Sequence, residues 1–121
     1  MIIGTNIDLR PVDVNDAEFI LSLRLNEDLN KHLSPVENDI QKQRDWIVYS
    51  KDNKEEWYFI VQNKKQTPVG TIRIYDIQGD SFCWGSWIIT PEARAYASFE
   101  SIVLLYKFAF LELKYNKTHF D

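Results

Sequence analysis

Apolar positions recur at helical spacing in the first part of the chain and at strand spacing in the middle. Ile7, Leu9 and Val12 around Pro11 read as a short edge strand, and Asn15-Asp16-Ala17-Glu18 then offers a capping residue with a carboxylate three positions on. Phe19, Ile20 and Leu23 fall on one face, and Arg24, Asn26, Glu27 and Asp28 crowd the end, which predicts a first helix of about three turns. Asn30 to Pro35 connects it to a second, more polar amphipathic segment, Val36 to Tyr49, where Ile40, Trp46 and Ile47 oppose Glu37, Asp39, Lys42 and Arg44.

The period then changes. Trp57 to Val61 is aromatic and β-branched, and a polar turn at Asn63 to Pro68 leads into Val69 to Tyr75. A second turn at Gln78-Gly79-Asp80 precedes Phe82 to Ile89, so three consecutive antiparallel strands are expected. From Ser98 to Leu113 the apolar arc is too wide for a surface helix and predicts one buried against the sheet. Lys117 to Asp121 begins a further strand. The fold class is mixed α/β (α+β): a mostly antiparallel sheet of about five strands with two early helices and one buried late helix.

Length and charge narrow the functions open to such a chain. At 121 residues, 45% of them apolar, it is a single domain spanning 1–121. A net charge of −4 provides no basic surface for a polyphosphate backbone, so nucleic acid is not an expected partner. The single cysteine, Cys83, and two distant histidines, His32 and His119, show no metal-ligand spacing. The N-terminus carries no secretory pattern and no run of about 18 apolar residues occurs, which predicts a cytoplasmic protein without a membrane partner.

The stretch ITPEARAYASFES, Ile89 to Ser101, lies between the Trp-rich strand and the late helix. Thr90-Pro91-Glu92 is a favourable helix start and Ser98 with Glu100 is another. Two helix N-termini in succession would aim several N–H groups into one place and form an anion site. The alternative is a plain strand-to-helix connection whose caps only finish the helix.

The succession strand, helix, helix, three-strand meander, turn, buried helix, strand resembles the GNAT superfamily of acyl-CoA-dependent N-acetyltransferases over the whole chain. Leu9-Arg10-Pro11 with Asp16-Ala17-Glu18, Pro68 to Ile72, Trp84 to Ile89, Pro91 to Arg94 and Asn116 to Asp121 carry the likeness. They look like the branch acting on ribosomal-protein N-termini and nucleotide-linked amino sugars. The resemblance implies acetyl transfer from acetyl-CoA to a primary amine, on an amino sugar nucleotide or a protein N-terminus, without a metal. It implies that Ile89, Thr90, Arg94, Ala95, Tyr96, Ala97 and Ser98 hold the coenzyme, and that the backbone N–H groups of Ile88 and Ile89 polarise the thioester carbonyl. The acceptor side falls to His32, Trp84 and Ser86. His32 is either a general base or a solvated loop residue.

The pattern is departed from in three places. Ala97 and Phe99 occupy the family's glycine positions in the turn, and Cys83 stands where many relatives have a glutamate base. The family also continues beyond the last strand with a strand, a helix and a strand, so an incomplete domain and a homo-oligomer with Phe110, Leu113, Tyr115 and Phe120 in contact are expected. An inactive GNAT-like module that binds a partner or itself is the alternative function. By alternation Trp84 and Trp87 take opposite faces of their strand, and Cys83 reads as a small buried hydrophobe.

Overall fold

A computed structural model of the chain describes residues 1–26, 28–29, 33 and 35–120. The sheet has six strands in sequence order: β1 (Ile2–Ile3), β2 (Ile7–Pro11), β3 (Trp57–Asn63), β4 (Pro68–Gln78), β5 (Ser81–Ile89) and β6 (Lys117–Thr118). All neighbours are antiparallel except β5 and β6, which run parallel through Ser81–Lys117 and Phe82–Thr118. The helices are α1 (Ala17–Leu25), α2 (Ile40–Asp52) and α3 (Arg94–Lys107). A mixed α+β architecture with a mostly antiparallel sheet therefore stands as expected from the sequence.

Four boundaries differ from the periodicity, the first being α2, which runs Ile40–Asp52 and not Val36 to Tyr49 because Asp39 caps it by accepting from Gln41 N and Lys42 N. The strand through Ile7 is interior rather than an edge, since Ile2 pairs with Leu9 and Ile3 with Asp8. The first helix is capped earlier, at Asp13: its side chain accepts from Asn15 N while Asp16 accepts from Asp13 N, closing a capping box on a 3-10 turn at Val14–Asp16. The late helix begins at Arg94 and not at Ser98, through a 3-10 turn at Pro91–Ala93, and continues past Lys107 as a π turn over Phe108–Glu112. Glu100 caps no helix; it accepts from the amides of Thr5 and Asn6 at 2.6 and 2.8 Å.

Each sheet face carries its own core. The face under α3 buries Ile7, Leu9, Phe59, Ile72, Ile74 and Phe82 against Ala97, Leu104, Leu105 and Ala109. The opposite face buries Val12, Ile60 and Tyr58 against Ala17, Ile20 and Ile47 of α1 and α2. This two-sided burial explains why β3 reads as a continuous apolar run. Tyr115, half-buried at the end of the α3 layer, has its hydroxyl pKa raised by burial.

Candidate active site

The site is built around one irregularity in β5. Thr71 pairs with Ile88 but Arg73 pairs with Gly85, so β5 carries an extra residue between those pairs. Ser86 takes the left-handed conformation there, with φ of 48°. A serine in that region costs about 1 kcal/mol, and the bulge is pinned by the Thr71 hydroxyl, which donates to Ser86 O at 2.6 Å. One extra residue reverses the side-chain parity beyond it. The expected opposition of Trp84 and Trp87 is thereby corrected: the two rings meet edge to face at 5.8 Å. Their indole N–H groups both reach α3, Trp84 to Tyr106 Oη at 2.8 Å and Trp87 to Ser101 Oγ at 3.0 Å. These bonds hold the helix against the outer half of the strand.

Beyond Phe82, β6 no longer covers the outer edge of β5; its last contact is His119 N to Phe82 O at 2.9 Å. Thr90 N donates to Val69 O at 2.8 Å. Alternation along the antiparallel ladder then turns Ile88 toward β4 and the N–H of Ile89 outward. A cleft of about 290 Å³ lies on that side, lined by Trp87, Ile88, Ile89, Arg94, Ser98 and Leu29. The start of α3 abuts it. Arg94 donates its amide to Pro91 O, and from Ala97 onward the amides serve the carbonyls one turn back, so Ala95 and Tyr96 are the first-turn positions left to face a ligand. Ala97 is fully buried in the core under α3, and none of Arg94 to Phe99 has positive φ. The helical conformation removes the need for glycine at Ala97 and Phe99.

On the other side of the bulge, about 540 Å³ of cleft is lined by Arg24, Gln43, Trp46, Tyr58, Arg73, Tyr75, Trp84 and Ser86, with Leu33, Pro35 and Val36 above. Among the described residues its lining has two arginines and no carboxylate. Trp84 and Ser86 fall here; His32 lies outside the described residues. Sequence reasoning missed Tyr58 and Arg73, which are fifteen residues apart in the chain and become neighbours only through the β3–β4 register. Cys83 is buried and makes only a long Sγ contact of 3.8 Å to Trp84 O, so its side chain packs. Lys64 pairs with Asp8 at 2.6 Å, on the far side of the sheet order. Among the described residues no group of three metal-ligating side chains occurs, and no helix is long and apolar enough to cross a membrane.

The strand with its pinned bulge thus lies between two clefts, with the start of α3 beside it and its outer edge uncovered beyond Phe82 among the described residues. Residues 6–121 match the acetyltransferase (GNAT) domain model, and the chain belongs to that family. Among solved structures it is similar to apo FdhC, a nucleotide-linked sugar GNAT, with 40% identity and a TM-score of 0.81, covering 98% of this chain and 72% of that one. At fold level it is also similar to two Vibrio cholerae structures. One is described as a ribosomal-protein-serine acetyltransferase, with 21% identity, a TM-score of 0.80 and coverage of 98% and 71%. The other is a spermidine N-acetyltransferase in complex with CoA and spermine, with 18% identity, a TM-score of 0.84 and coverage of 97% and 71%. No curated protein matches the chain.

Proposed function

We propose that this chain transfers an acetyl group from acetyl-CoA to a primary amine, with the coenzyme on the Arg94 side of β5 and the acceptor on the Arg73 side. The observation that carries this reading is the pair of clefts meeting at the Ser86 bulge, one along an uncovered strand edge beside a helix start and the other lined by arginines and indoles. The coenzyme supplies the activated acyl group. Ile89, through its outward N–H, is suited to bind the extended arm and, with Ile88 beside it, to orient the carbonyl whose oxygen gains charge during attack. Arg94 and the first-turn amides of α3 suit a pyrophosphate, since a helix N-terminus attracts anions independently of net charge. Trp84 and Ser86 wall the acceptor side, and an amino sugar nucleotide is the acceptor that the likeness to FdhC favours over a protein N-terminus.

Calorimetric titration of the protein with acetyl-CoA tests the assignment. Saturable binding in the micromolar range, weakened by Arg94→Glu, is the expected result; no heat at millimolar acetyl-CoA overturns it. Binding without thiol release toward any amine identifies the inactive module instead, a reading to which the buried thiol of Cys83 in place of a carboxylate lends weight.

A further inference from the structure

Tyr58 and Arg73 stand opposite each other on β3 and β4 and both line the larger cleft. Each holds a buried polar atom without a hydrogen-bond partner: the Tyr58 hydroxyl and Arg73 Nε. Orphaned buried donors are rare and costly, and here two occur side by side. Among the described residues neither atom meets a partner at full hydrogen-bond geometry, although Thr71 and Arg24 lie near enough to the Tyr58 hydroxyl to offset part of the rise that burial gives its pKa. The Thr71 hydroxyl is turned toward Ser86 O, and Glu56 accepts from Ser50 Oγ at 3.1 Å and from Arg73 Nη1 at only 3.5 Å. Trp46 and Tyr75 offer ring faces, 5.2 and 4.0 Å from the guanidinium carbon. Trp46 also meets the Tyr58 ring edge to face at 5.3 Å, so both side chains are held in place by packing.

An aromatic hydroxyl and a stacked guanidinium together form a preorganised set of donors for oxygen acceptors. Charge-assisted bonds of this kind are the strong ones. Both residues line the cleft, and the Arg73–Glu56 contact is long at 3.5 Å, so an oxyanion in the cleft competes with a weak bond for the guanidinium. Arg24 adds a second cation to the same wall. A polyamine would bring only positive charge to this place.

Resting on the reading of this cleft as the acceptor's, we propose that Tyr58 and Arg73 anchor an oxyanion carried by the acceptor, a phosphoryl or a carboxylate group, so that the substrate is an anionic amine. The clamp fixes the far end of the acceptor and leaves its amine to reach the bulge at Ser86.

The test is a tryptophan-fluorescence titration of the full chain with inorganic pyrophosphate, with succinate and with spermidine. It is run on the wild type, Tyr58→Phe, Arg73→Gln and Arg94→Glu, with acetyl-CoA titrated alongside. Saturation by pyrophosphate identifies a phosphorylated acceptor and saturation by succinate a carboxylated one. The anion that binds should lose about tenfold in affinity with either Tyr58→Phe or Arg73→Gln, the ordinary worth of one charge-assisted bond. It should bind normally in Arg94→Glu, which separates this site from the coenzyme's. Tyr58→Phe should also leave the thermal midpoint close to that of the wild type, because the hydroxyl makes no hydrogen bond of full geometry among the described residues. Four results overturn the proposal: neither anion saturating, spermidine saturating in their place, anion binding that fails only in Arg94→Glu, or Tyr58→Phe lowering the midpoint with affinity intact. Failure of acetyl-CoA to bind strikes the transferase reading, while the anion titrations still decide the clamp.

Discussion

Gly70 faces Ile89 across the β4–β5 ladder, beside the cleft that Ile88 and Ile89 line. A methyl group added there would stand 2.3 Å from Ile88 O, 2.7 Å from Ile89 Cδ1 and 3.2 Å from Ile89 Cα. Carbon and carbonyl oxygen settle at roughly 3.3 Å or more, so Gly70→Ala forces the carbonyl back by about 1 Å. The strands cannot simply part, because Thr90 N is tied to Val69 O at 2.8 Å on one side and Thr71 Oγ1 to Ser86 O at 2.6 Å on the other. Overpacking of this kind costs about 1–3 kcal/mol. The upper end applies, since the obstacle is backbone. On the proposed reading, the same shift moves Ile88 and Ile89 out of line with the coenzyme, and misplacement by about 1 Å can lower turnover by roughly 100-fold. Urea denaturation measures the first effect, and acetyl-CoA calorimetry together with thiol release measures the second. Gly79→Ala is the control: its φ of 63° makes a side chain strained, yet nothing lies within 4 Å of an added Cβ. It should cost about 1 kcal/mol and leave coenzyme affinity alone. A Gly70→Ala protein with wild-type stability and wild-type affinity would refute the close-approach argument.

Asp16→Ala removes the acceptor of two Arg10 bonds at 2.9 Å and of Asp13 N at 2.8 Å. The loss of one cap and one partly buried pair should cost about 2–3 kcal/mol in chemical denaturation, and a change under about 0.5 kcal/mol, the scale of an ordinary surface substitution, would show that the pair is merely superficial. Asp8 should govern part of the acid sensitivity. The hydrogen bond from Lys64 holds its pKa below the ordinary 3.8, with the Gly4 amide assisting against burial. A depressed folded pKa means that the stability contributed by Asp8 is present above the ordinary value and is lost as pH falls through the folded one. Asp8→Asn should therefore be less stable than the wild type near neutrality, with the gap closing below about pH 4; a gap that is constant with pH would point to packing.

Much of the architecture is legible in the linear chain because it rests on contacts a few residues apart. The two early helices show in the spacing of Ile20 and Leu23 and of Ile40 and Ile47, and the hairpins show in the turn residues at Asn63 to Pro68 and Gln78 to Asp80. The likeness of Pro68 to Ile72 and of Trp84 to Ile89 to an acyltransferase likewise follows from local residue order. Other features depend on which strand lies beside which, and no local period encodes that. Ile2 and Ile3 form a strand only because Leu9 and Asp8 are there to pair with them. The bulge at Ser86 arises from register against Thr71 and Arg73, and it alone brings Trp87 round to Trp84. The late helix starts at Arg94 because Ala93 and Ala97 must both bury against the sheet. Tyr58 belongs to an aromatic strand and Arg73 to the next one, and no local pattern marks either. Only the tertiary pairing of β3 with β4, under the ring of Trp46, turns those two ordinary residues into a buried pair of donors at the floor of a cleft.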